Sequence, residues 1–213
     1  MRTAPLPFRI APLLLAVVEG ASCAGGSRTP APDVGSGTFN VLVSAPVTRY
    51  PVTAASVREI REQIRRDGPR ANGRAWDGAT EWSIRWNFRT VNPMRADCRV
   101  EDVRVEVRAR ITTPEWVPDV EADEATKVWW RRYEAALMEH EAGHARLAVA
   151  AGNEIQRSLE RMRGDCRRLA DEANAVGRRI LDRMRRQQAD FDAETRHGAI
   201  QIAAAVADTT NAP

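Results

Sequence analysis

Apolar residues recur along this chain with two different periods, and the switch between them divides it. From Trp82 the pattern has period two: Trp82, Ile84, Trp86 and Phe88 alternate with Ser83, Arg85 and Asn87. Val103, Val105, Val107, Ala109 and Ile111 then alternate with Asp102, Arg104, Glu106, Arg108 and Arg110. Successive strand side chains point to opposite faces, so each run predicts a strand with one buried face. The Asn92-Pro93 turn material joins them as a hairpin or a longer antiparallel link. Upstream, Thr38–Val43 reads as a short strand. A short helix follows with Thr53 as N-cap, Val57, Ile60 and Ile64 on one face, and Gly68 as its stop. Pro114 and Pro118 are expected to close this β-rich half.

Beyond Asp123 the spacing changes to three and four. Trp130, Tyr133, Leu137, His140, His144, Ala148, Ala151, Ile155, Leu159 and Met162 form one stripe of a helix running to about Arg163. Asp123 and Glu124 favour its N-terminus. Gly164-Asp165 makes a turn, and a second helix from about Arg167 to Ala189 carries Leu169, Ala173, Val176, Ile180 and Met184. The predicted fold is therefore α+β: a small antiparallel β-sheet followed by a long helical hairpin, in a single domain over 38–198 (38–118 β-rich, 119–198 helical), with 199–213 as a disordered tail.

The chemistry sits inside the helical stripe. His140-Glu141-Ala142-Gly143-His144 spells H-E-x-x-H and uses two of the three histidines in the chain. Residues four apart stack on one helix face, so both imidazoles reach one Zn²⁺, and Glu141 is placed to take a proton from a water on that metal. Two buried imidazoles one turn apart need partners for their ring nitrogens, and a metal supplies one. A hydrolytic zinc site has three protein ligands and one open position. A helical hairpin brings the third within reach. Positions equidistant from the turn lie level, so residues 185–189 face the two histidines and the chain leaving the helix emerges beside them. His197 is the expected third ligand, with Asp190, Asp192 and Glu194 as alternatives; Glu154, Glu160 and Glu172 lie too far along the helices.

Three further features bound the setting. Arg2, Arg9 and the short apolar run Ile10–Val18 before Gly20-Ala21-Ser22-Cys23 read as an export signal over 1–22, too short to span a bilayer. Cys23 is a candidate lipidation site for membrane attachment, which makes the product a periplasmic or outer-membrane lipoprotein, alternatively a secreted protein. The Gly-, Ser- and Pro-rich stretch over 23–37 is a flexible linker. With Cys23 set aside, Cys98 and Cys166 are expected as a disulfide in an oxidising compartment, against two independent buried thiols. Charge excludes little: arginine is interleaved with acidic residues and the net charge is only +3, so no nucleic-acid partner is expected. Trp82 and Trp86 lie on the apolar face of their strand and read as core, not as an aromatic binding platform.

The chain resembles the predicted secreted zinc-dependent protease family of bacteria, a domain of unknown function. The resemblance runs from Tyr50-Pro51-Val52 through Thr80-Glu81-Trp82, Trp86-Asn87-Phe88, Cys98-Arg99 and the H-E-x-x-H motif to Asp192–Gly198. It implies a zincin-like peptidase acting on a peptide or protein substrate. The residues then take roles: His140, His144 and His197 hold zinc, and Glu141 is the base. Tyr133, Tyr50 or Arg196 stabilises the oxyanion, and Asp192 orients a ligand imidazole. The alternative is a non-catalytic envelope lipoprotein or binding module with a structural or vestigial zinc site.

Overall fold

In the computed structural model, residues 33–35, 41–71, 73–92 and 97–207 are described. The export signal, Cys23, most of the linker and residues 208–213 lie outside them. Along the chain run β1 (Val41–Ser44), β2 (Val47–Val52), α1 (Val57–Asp67), β3 (Arg70–Ala71), β4 (Arg74–Ala75), β5 (Ala79–Val91) and β6 (Cys98–Trp116). Then follow α2 (Glu124–Glu160), β7 (Arg163–Gly164), α3 (Leu169–Thr195) and α4 (Ala199–Ala207).

The long strand β6 is the spine of the sheet. β5 pairs with it antiparallel, as the two alternating runs predict, from Ala79↔Thr112 to Val91↔Arg99. On its other edge β1 and β2 pair with it in parallel (Val41↔Val105, Val47↔Ile111) and β7 antiparallel (Cys98↔Gly164). The sheet is therefore mixed, and the expectation of a small antiparallel sheet is corrected in that respect. The cause is connectivity: β2 returns to the β5–β6 hairpin only through α1 and the β3–β4 ribbon, a crossover long enough to permit parallel pairing. A second correction concerns Pro114, which lies inside β6 opposite Tyr50 and does not close the half. It is tolerated because β5 has already ended at Ala79↔Thr112.

One irregularity keeps β6 amphipathic over its length. Cys98 and Val100 face the core, and so do Val103, Val105 and Val107, although the parity changes between the two sets. Asp102 adopts φ 52° at this break, where the β5 register shifts between Asn87 and Arg89. The extra residue of a bulge restores the inward face.

α2 lies across this face and α3 packs on α2 as the return arm of the hairpin. Val103, Val105 and Val107 meet Ala148, Ala151, Ile155 and Leu159 of α2 and Leu169, Ala173, Ile180 and Met184 of α3. At the other end of α2, Trp129, Trp130, Tyr133 and Leu137 form a second cluster with Val52, Ile60, Ile64 and Ile202. The helix boundaries carry three corrections. α1 is capped by Ser56, not Thr53: its hydroxyl accepts from the Glu59 N–H and donates to the Glu59 carboxylate. α3 runs past Ala189 to Thr195, since no glycine or proline lies between Ala189 and Gly198. The expected disordered tail is helical over Ala199–Ala207, an alanine-rich segment whose Ile202 is buried with the tryptophans of α2.

The pair Cys98–Cys166 is a disulfide with Cα atoms 4.9 Å apart, beside the short β7 ladder at the hairpin turn. No helix among the described residues is long and apolar enough to cross a membrane.

Candidate metal centre

His140 and His144 face the interior of the hairpin because the α2 stripe does, and both are almost fully buried. Their outer ring nitrogens are tied to glutamines. His140 Nδ1 lies 3.0 Å from the Gln201 Oε1 of α4, and His144 Nδ1 contacts the Gln188 Oε1 of α3. The orientation of Gln188 is set independently, since its Nε2 donates to the His144 carbonyl at 3.0 Å and to Met184 Sδ at 3.4 Å. A carbonyl oxygen only accepts, so each Nδ1 carries the proton and each Nε2 is left with its lone pair. Burial, and then the neighbouring His144, lower the His140 pKa to about 4, which keeps that ring neutral near pH 7.

Those Nε2 atoms converge on Asp192 of α3. Its Oδ1 lies 3.1 Å from His144 Nε2 and 3.5 Å from His140 Nε2. One ligand atom from each of the three residues lies within 4.8 Å of the others. Acceptor thus faces acceptor, a repulsive arrangement unless a cation or a proton lies between. This donor set of two imidazoles and a carboxylate fits a divalent metal such as zinc. His197, expected as the third ligand, stands one contact further out, its Nδ1 3.2 Å from the same Asp192 oxygen. It packs at a tilt against Trp76, with ring centroids 4.1 Å apart and the planes 44° from parallel.

Glu141 is buried on the sheet side of α2. The Thr80 hydroxyl, at the start of β5, lies 2.7 Å from Glu141 Oε2. Burial raises the Glu141 pKa to about 7 against the opposing effect of that hydrogen bond. The space for the carboxylate depends on Gly78, where a Cβ would lie 2.8 Å from Glu141 Oε1. Two more glycines shape the centre. A Cβ at Gly143 would lie 2.6 Å from Cζ of Phe191, whose ring stacks on His140 and meets His144 edge-on. Gly198 has φ 78°, and a Cβ there would lie 2.9 Å from Cγ of His140. Only glycine meets both demands.

The centre opens on a cavity of about 990 Å³, lined by His140, Glu141, His144, Asp192, Arg196 and His197 among others. The two tyrosines expected at the oxyanion do not line it. Tyr133 is fully buried and donates to Asp77 Oδ2 at 2.9 Å, and Tyr50 donates to the Asp77 carbonyl at 2.7 Å. Burial, reinforced by Asp77, raises both phenol pKa values. Arg196 does line the cavity, in left-handed backbone with φ 51°. Asp190 and Glu194 border a separate groove on the far side of Phe191.

Sequence reasoning missed Gln188, Gln201, Phe191 and Thr80. Gln188 was legible in principle: it lies four residues beyond Met184, so extending the α3 stripe by one turn puts a polar residue in a buried row. Nothing local marks the other three.

The family model described as "Bacterial protein of unknown function (DUF922)" matches residues 47–198, and the chain belongs to that family. No curated protein and no solved structure matches.

Proposed function

We propose that this member of the family is an exported zinc-dependent hydrolase, most simply a peptidase, with His140, His144 and Asp192 as ligands and Glu141 as general base. The observation that carries this reading is the acceptor-on-acceptor convergence of two histidine Nε2 atoms and the Asp192 carboxylate, next to a buried Glu141. A structural metal needs the first feature but not the second. When bound, zinc supplies Lewis acidity to a water and to a substrate carbonyl.

The remaining work falls to the chain. The Gln188 and Gln201 carbonyls hold the two imidazoles in the ligating tautomer. Glu141 takes the proton of the attacking water and passes it to the leaving amine, with Thr80 fixing its carboxylate. Because the tyrosine hydroxyls are engaged on Asp77, the oxyanion falls to Arg196 and His197, two cavity-lining donors at the α3–α4 turn next to Asp192. His197, half exposed and in contact with Asp192, also orients that ligand. The disulfide accords with an oxidising compartment outside the cytoplasm.

The test is Glu141→Gln in the mature protein. Metal content, measured by mass spectrometry, should stay near that of the parent chain, while peptidase activity on an unstructured protein should fall by about 10²–10⁴-fold. His140→Ala should lose the metal itself. A cellular phenotype abolished by His140→Ala yet intact in Glu141→Gln would replace the enzyme by a binding module with a structural metal.

A further inference from the structure

The wall of the cavity away from the metal ligands is apolar at its base and basic at its rim. Trp129, Leu137 and Ile202 contribute the apolar part. Four arginines line it from three separate elements: Arg61 and Arg65 one turn apart on α1, Arg74 on β4, and Arg196 at the α3–α4 turn. Against them stand the carboxylates of Asp77, Glu141 and Asp192, and each is already engaged. Asp77 receives Arg61 at 3.3 Å and the Tyr133 hydroxyl, Glu141 receives Thr80, and Asp192 meets the three imidazoles. Arg65, Arg74 and Arg196 make no ion pair among the described residues. Arg74 is also held in place, its guanidinium 4.4 Å from the centroid of the Trp76 ring.

We propose that this rim is a substrate subsite for carboxylate groups, and that the protein takes acidic peptides, with Arg65 and Arg74 as specificity-determining residues. This rests on the hydrolase reading for its substrate class but not for its binding chemistry. A concave site with an excess of one charge sign focuses its field on ligands of the other, and a divalent cation at the centre adds to it. Unpaired guanidinium groups supply forked donors matched to a carboxylate. The apolar base accepts the neighbouring side chains or backbone of the same peptide. The carboxylate can come from an aspartate or glutamate side chain or from a free C-terminus, and the two sources are separable by experiment.

Binding is measured on the full mature Glu141→Gln chain, zinc-loaded and metal-free, by fluorescence anisotropy with labelled peptides. The probes are an end-blocked peptide rich in glutamate, its glutamine counterpart, and the glutamine peptide with a free C-terminus. The expected result is roughly tenfold tighter binding of at least one carboxylate-bearing probe than of the neutral one, weakening with salt. Which probe wins names the source. The double substitution Arg65→Gln, Arg74→Gln should erase the preference, whereas Arg178→Gln with Arg179→Gln on the outer face of α3 should preserve it. Equal binding of all three probes, or a preference that survives loss of Arg65 and Arg74, overturns the proposal. Efficient hydrolysis of proteins by the parent enzyme without acidic preference would remove this inference alone. Acidic-peptide binding without any hydrolysis would remove only the enzyme.

Discussion

At the scale of single residues, the centre is a competition for one oxygen. Asp192 Oδ1 is approached by His140, His144 and His197, yet only the first two rings present a nitrogen whose partner nitrogen is tied to a glutamine carbonyl. A ligand imidazole is characteristically held in this way from behind. His197 is half exposed and packs at a tilt against Trp76 instead. Asp192→Ala should therefore strip the metal as completely as His144→Ala does, while His197→Ala should retain it with affinity reduced by no more than roughly 10–100-fold, the effect of losing an outer partner. Titration with a competing chelator measures both. The reverse order would return His197 to the ligand set and move Asp192 behind it.

At the scale of elements, α4 is the member whose removal is most informative. It brings Gln201 to His140 and covers the tryptophan pair of α2 with Ile202 and Val206. Its approach is set by three successive residues with positive φ, Arg196, His197 and Gly198, which reverse the chain over the His140 ring. Two of these are not glycine, and left-handed backbone costs roughly 1–2 kcal/mol per such residue. The fold sustains that strain because α4 is anchored by apolar contact further on. Gln201→Leu should keep the helix and weaken metal binding by roughly 10–100-fold. Ending the chain at Gly198 should add a loss of stability of roughly 2–4 kcal/mol from the uncovered apolar side chains, seen as a lower urea midpoint. An unchanged midpoint would mean that α4 contributes nothing to the core.

At the scale of the whole molecule, structural reinforcement and chemistry sit at opposite ends of the hairpin. The disulfide joins β6 to the turn between α2 and α3, whereas the candidate ligands lie near the middle of α2 and the end of α3. From His144 to the end of α2 at Glu160 is roughly 24 Å of helix. Cys98→Ser with Cys166→Ser, which opens a separation of 68 residues, should cost up to about 4 kcal/mol in the chain-entropy account. Denaturant unfolding gives that cost, and the metal content of the folded fraction should be unchanged. Loss of metal with stability intact would show that the two ends are coupled.

Much of this architecture is written in local periodicity. The alternation around Trp82–Phe88 and Val103–Ile111, the stripe of α2 and the H-E-x-x-H spacing are properties of a strand or a helix taken alone, so β5, β6, α2 and the His140–Glu141–His144 face are legible without neighbours. Even the level at which the second helix meets the histidines follows from helical rise, and Gln188 arrives there. What periodicity does not carry is direction between elements. The parallel pairing of β1 and β2 depends on the route taken by α1, and the folding of 199–207 into α4 depends on the apolar surface that α2 offers it. The third position of the candidate metal site belongs to the same class. His197 and Asp192 are five residues apart, and only the extension of α3 to Thr195, with the left-handed turn beyond it, turns the carboxylate inward and the imidazole toward Trp76. Residue type and spacing set the chemistry available, and long-range packing selected which of the two groups meets the histidines.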